Sequence, residues 1–262
     1  MPDKKMKLIE RKKGIGLIVN KPLKNCFQIR DISRSLIIAN NAEFPDHKID
    51  VNAEEIILED INWNTIRATG VNLTLDITNI GINGLDIGTE TAYTWYYIWI
   101  IAMVDGTVGG ILSSSSADPH MPVGYVYKAF AGAVHNCINV GNDFGPIKQV
   151  GNTVARNAVA VINSGTANIT TSMNCSGALP EKAVKAMGDI TLNIASGGGR
   201  GAGWLRSAPD QGCVEFAGYL NAQGRLTVPF CVPIIETQTL YYNLDSGSTA
   251  ESITISISGY EF

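Results

Sequence analysis

Histidine is scarce in this chain: His47, His120 and His135 are the only three. His47 follows Asp46 and His120 stands two residues after Asp118, so an imidazole meets a carboxylate in two separate loops. Two such loops brought together can hold a zinc ion. Isolated loop residues of this kind are more often plain solvated groups, and no metal ligand is assigned. The Gly-rich stretch Ser196–Gly203, SGGGRGAG, invites a phosphate-loop reading. That chemistry needs a helix after the glycines and a closing Lys-Ser/Thr. Here WLRSAPDQG follows, so a flexible hairpin tip is expected and no cofactor is assigned. Glu54 and Glu55 adjoin in sequence, so on a strand they face opposite sides and cannot share a substrate. Neither a nucleophile elbow nor a catalytic-cysteine signature is present. The expectation is a protein that is not an enzyme.

The five cysteines (Cys26, Cys137, Cys175, Cys213, Cys231) are odd in number, widely spaced and free of any CxxC pair. They are read as buried free thiols of a protein made in a reducing cytosol. Only 17% of residues are charged and 45% are hydrophobic, which excludes a disordered chain and suits many short strands.

The elements that hold these residues read as β throughout. Residues 94–110, TWYYIWIIAMVDGTVGG, carry an apolar run too short for a membrane span and lacking a helical period. Asp105-Gly106 then supplies a hairpin turn with positive φ. A strand apolar on both faces is predicted, with Tyr93, Trp95, Tyr97, Trp99 and Ile101 pointing one way and Tyr96, Ile98, Ile100 and Ala102 the other. Such a strand lies at a sandwich centre or under a second subunit. In 71–78 Val71, Leu73, Leu75 and Ile77 alternate with polar residues. TVARNAVAVINSG and TANITTSMN look like a strand pair. One helix is expected near 180–188, with Pro180 in its first turn and Gly188 at its C-cap. The fold class is therefore all-β, an antiparallel β-sandwich or jelly-roll-like arrangement of one or two sandwiches meeting near 137–152. The segments are 1–35 as a basic arm, 36–140 as a β-sandwich module and 141–262 as a second β-rich half.

Charge divides unevenly. Residues 1–35 carry seven net positive charges, while the whole chain carries −4. The acidic body would repel phosphate, so nucleic-acid binding by it is not expected. The arm is too poor in apolar residues to form a core and is expected to order only against an acidic partner. Lys4, Lys5, Lys7, Arg11, Lys12 and Lys13 supply charge there, and Leu17, Ile18 and Phe27 supply apolar contacts.

Residues 83–136 carry a resemblance. Asn83–Gly88 (NGLDIG), Thr94–Tyr96, Asp105–Thr107, Leu112–Ser115 and Pro122–Tyr125 follow a module found in tail-fibre and other virion structural proteins of tailed bacteriophages and prophages. With its upstream strands, the likeness covers roughly residues 40–140. It implies a virion protein made in the bacterial host cytoplasm, whether a tail-fibre or appendage subunit or a capsid-decorating protein. Its expected partners are shell or tail proteins and copies of itself, with a homotrimer covering the surplus aromatic face. The matched positions are turns and core, so no catalytic residue follows from them. The alternative is a carbohydrate-binding module that recognises host surface glycan; no membrane partner is expected.

Overall fold

The computed structural model describes residues 33–137, 144–194, 198–245 and 250–262. Seventeen strands follow in order: β1 (Ser33–Arg34), β2 (Ile37–Asn40), β3 (Lys48–Glu59), β4 (Thr65–Asp76), β5 (Gly84–Leu85), β6 (Thr94–Met103), β7 (Val108–Ser113), β8 (Tyr125–Asn136) and β9 (Ile147–Val150). The second half adds β10 (Thr153–Gly165), β11 (Thr171–Asn174), β12 (Lys185–Ile194), β13 (Gly199–Ala208), β14 (Gln211–Leu220), β15 (Gly224–Pro233), β16 (Thr239–Leu244) and β17 (Ala250–Glu261). The protein is all-β.

A large sheet of thirteen strands runs β15-β12-β17-β10-β9-β2-β3-β8-β6-β7-β5, with β1 and β4 also paired to β3. It is mixed only because β5 runs parallel to β7. The sheet turns over where β3 meets β8 through the single pair Glu59↔Lys128. Beyond that corner β8, β6 and β7 fold back over β4, β3, β2 and β9. Two glycines show how closely the layers approach. A Cβ on Gly110 would lie 2.6 Å from Leu75 Cδ2, and one on Gly132 would lie 2.3 Å from Gln149 Oε1. Between the layers Ile38, Ile49, Val51, Leu75, Ile98 and Ile100 are sealed from solvent.

A second sandwich forms in the other half. The four-stranded sheet β11-β16-β13-β14 lies over β15, β12 and β17. Leu205, Phe216 and Leu240 meet Ile190, Leu192, Ile253 and Ile255 in this core. β10 belongs to both halves, pairing β9 on one edge and β17 on the other with three register shifts. Those irregularities bend the strand, as bulges do, and let one sheet serve two sandwiches.

Several local expectations are corrected. The segment expected as a helix at 180–188 is a turn at Glu181-Lys182 that runs into β12 at Lys185. Its apolar residues alternate by two along Ala186, Gly188, Ile190 and Leu192, and that strand period prevails over Pro180 and Gly188 as caps. β10 and β11 do not pair with each other: β10 joins β9 and β17, and β11 joins β16. Most of the Gly-rich stretch is strand β13, paired with β14 and β16, and Gly201 on its inner face leaves room for Leu192 Cδ1, 2.9 Å from an added Cβ.

Candidate functional site

The aromatic strand β6 is buried from Trp95 to Ala102, on both faces. Trp95, Tyr97, Trp99 and Ile101 are all buried within the single chain. Tyr93 is the exception. It precedes the strand in a left-handed conformation (φ 56°) and is 69% exposed.

One face of β6 fills the first sandwich. The other faces the second half of the chain, and the side chains there build a seam. Register pairing sets Trp95 opposite His135, Tyr97 opposite Ala133 and Trp99 opposite Phe130. β17 lays Tyr260 and Phe262 against them: the Tyr260 ring stands 5.9 Å from Trp95, and the Phe262 ring 4.9 Å from Phe130, both edge-on. Tyr260 is fully buried, and its hydroxyl donates to the Ala133 carbonyl at 3.2 Å. Edge-to-face pairs of this kind add to the burial of the rings themselves.

The turn segment 175–184 crosses this face like a strap. Trp95 Nε1–H donates to the Ser176 carbonyl (2.6 Å), and Arg156 Nη1 donates to the Ala178 carbonyl (2.8 Å). The Glu181 N–H donates to Tyr97 Oη (3.2 Å), and Gln238 Nε2 donates to the Leu179 carbonyl (2.7 Å). Lys182 places its ammonium 5.0 Å from the Phe130 ring centre and 5.7 Å from that of Trp99. Burial pulls the Lys182 pKa down and pushes that of Tyr97 up to about 12. His135 is held down to about 4, chiefly by burial and then by the charge of Arg156. At pH 7 the buried Tyr97 hydroxyl and the His135 imidazole are therefore both neutral.

Away from the seam, the loop at 79–88 is held against β7. Asn83 adopts φ 60°, accepts the Gly110 N–H on its side-chain oxygen (3.0 Å) and donates its own N–H to the Gly110 carbonyl (2.7 Å). Asp86 is buried, accepts the His120 N–H at 2.8 Å and donates its own N–H to the Leu112 carbonyl. Gly106 (φ 90°) closes the turn between β6 and β7, with Asp105 capping the Thr107 N–H at 2.9 Å. Only the glycine of that pair takes positive φ. Three isoleucines project from this braced loop: Ile80, Ile82 and Ile87 are 70%, 48% and 62% exposed. Sequence reasoning missed them, because NIGINGLDIG reads as a turn whose isoleucines have no period.

The loop histidines do not converge on a centre. His47 binds its neighbour Asp46 at 2.7 Å, whereas Asp118 pairs with Lys128 at 2.8 Å. Among the described residues no three His, Cys, Asp or Glu side chains gather as a metal would need. Cys175 is buried as expected, but Cys231 is exposed because it lies on the outer face of β15, opposite Phe230 and Val232. The arm residues Lys4, Lys5, Lys7, Arg11, Lys12, Lys13, Leu17, Ile18 and Phe27 lie outside the described residues. No helix among the described residues is long and apolar enough to cross a membrane.

Fold and site together define an all-β protein, a large mixed sheet with a second antiparallel sheet, whose aromatic strand is buried within the chain. No protein-family model and no curated protein matches the sequence.

Proposed function

We propose that this protein is a non-enzymatic structural component of a tailed-phage virion, a fibre or appendage subunit or a capsid-decorating protein. One observation carries the reading. The motif residues Asn83–Gly88 form a loop braced by Gly110, Leu112 and His120, and Ile80, Ile82 and Ile87 of this loop face solvent. A rigid, exposed apolar loop suits contact with another protein subunit. In this reading the basic segment 1–35 anchors the chain to an acidic surface of the shell or tail, or to a neighbouring copy, and the β body faces outward. The threefold self-association goes with the resemblance. The run at 93–101 supplies no surplus face for it, because Tyr260, Phe262 and the strap cover that face within the chain. Contact between copies falls instead to the isoleucine loop.

Deleting residues 1–30 tests the anchor. The truncated protein is expected to stay folded and to be missing from purified virions, with antibody labelling in electron micrographs as the readout. Normal incorporation would refute the anchoring role.

A second reading, recognition of host surface glycan, is favoured by a different face. On the outer side of the four-stranded sheet, Trp204 pairs across to Glu215 and Asn243 beside Tyr241, and Tyr219 is 69% exposed. Aromatic rings among polar groups suit sugar rings. Protection of tryptophan fluorescence from acrylamide by host glycan, lost in Trp204→Ala, would move the protein to this class.

A further inference from the structure

We propose that the seam between the two halves is an acid-released latch: protonation of His135 beside the half-buried guanidinium of Arg156 parts β17 and the strap 175–184 from the aromatic face of β6 and β8. This inference does not rest on the virion reading. It rests on which groups are enclosed together and on which are missing there.

Each element packed on the seam contributes to the imidazole's surroundings. β6 supplies Trp95, whose ring centre is 4.7 Å from that of His135. The chain just after β8 supplies Cys137, with Sγ 3.3 Å from His135 Nδ1. β10 supplies Arg156, whose guanidinium carbon stands 5.3 Å from the same Trp95 ring. β17 supplies Tyr260, packed on Trp95 and fully buried. The strap supplies only the carbonyls of Ser176 and Ala178, held by Trp95 and Arg156. Among the described residues no Asp or Glu pairs with either His135 or Arg156. One cation on this indole is met by ring and carbonyl dipoles, and a second would share the enclosure with no carboxylate of the described residues paired to it.

The direction follows from proton binding. In the closed form the imidazole titrates at about 4, against an ordinary value of 6.5 once hydrated. A hydrogen bond to the Tyr93 backbone opposes this lowering but does not reverse it. Between those two values the open form binds the additional proton. The opening equilibrium therefore rises as pH falls, by up to about tenfold per pH unit and on the order of a hundredfold across the window. Above pH 6.5 both forms hold a neutral imidazole and the latch stays shut.

Two features make the seam the place that yields. The strap is a turn held by individual hydrogen bonds and by the buried side chains of Cys175, Ala178 and Leu179, without the continuous ladders that seal each sandwich. The residues uncovered, Trp95, Tyr97, Trp99 and Phe130, would form a contiguous aromatic face open to a partner.

The test is hydrogen exchange of the Trp95 indole N–H in the full chain from pH 7 to pH 4, corrected for intrinsic exchange, beside tryptophan emission. The expected result is a protection factor that falls by up to tenfold per pH unit below 6.5, with a reversible red shift. His135→Gln should flatten that slope, and the control His47→Gln should leave it intact. A flat wild-type profile, or an equal slope in His135→Gln, overturns the proposal. If His135→Gln does not fold, two measurements decide instead. The His135 imidazole proton signal is titrated in the wild type and in Arg156→Gln. An ordinary value in the wild type, or no upward shift in Arg156→Gln, also overturns it.

Discussion

The two sandwiches reach a sealed core by different means. In the first, the central strand β6 is buried on both faces, although both sandwiches use glycines to let layers approach, Gly110 and Gly132 in one and Gly201 in the other. In the second, β12 and β17 alternate, with Ile190, Leu192, Ile253, Ile255 and Ile257 inward and Asp189, Thr191, Ser252, Thr254 and Ser256 outward. A strand alternates when one face meets water and loses its alternation when both faces are covered. The outer face of β6 meets side chains and the strap of the second half. That face is dry because the second half closes over it.

The largest test of that difference is Trp95→Ala. The residue fills the seam and donates to Ser176, so its loss should cost about 3–5 kcal/mol. Denaturant unfolding should show the halves separating into two transitions where the wild type has one. A single transition with an unchanged midpoint would mean that the seam does not couple them.

Gly188→Ala acts inside the second sandwich. An added Cβ would fall 1.9 Å from the Ser256 carbonyl oxygen, which is backbone and cannot step aside. The expected loss is about 1–3 kcal/mol. Gly110→Ala presses on the Leu75 side chain, which can change rotamer, and should cost less in a parallel thermal melt. The reverse order would show that the first sandwich is the more tightly packed.

At the small end, Asp118→Asn removes the ion pair with Lys128, whose Asp side chain is 89% exposed. Its thermal midpoint should match that of the wild type within error, because solvent screens so exposed a pair. A clear drop would mean that Lys128, which also stands 5.5 Å from the Trp99 ring, depends on Asp118 to brace the seam.

The amino-acid sequence by itself determined the class of fold and the position of the central strand. Apolar residues without a gap from Trp95 to Ala102, β-branched and aromatic in type, can only be a strand covered on both sides. The turns at Asn83–Gly88 and Asp105-Gly106 were legible for the same local reason, since glycine, asparagine and aspartate tolerate or brace those backbones. Where local signals conflicted, tertiary pairing decided. Pro180 and Gly188 mark a helix by their own preferences, but ten residues of ladder with β15 and β17 are available to that stretch, and it extends. Which element covers the outer face of β6 was also undecided by sequence. Another subunit and the chain's own C-terminal strand bury the same aromatic rings equally well. Tyr260 and Phe262 lie more than 150 residues from Trp95 along the chain. Nothing in local pattern encodes a contact between positions so far apart; only the folding of the shared sheet at β10 brings them together.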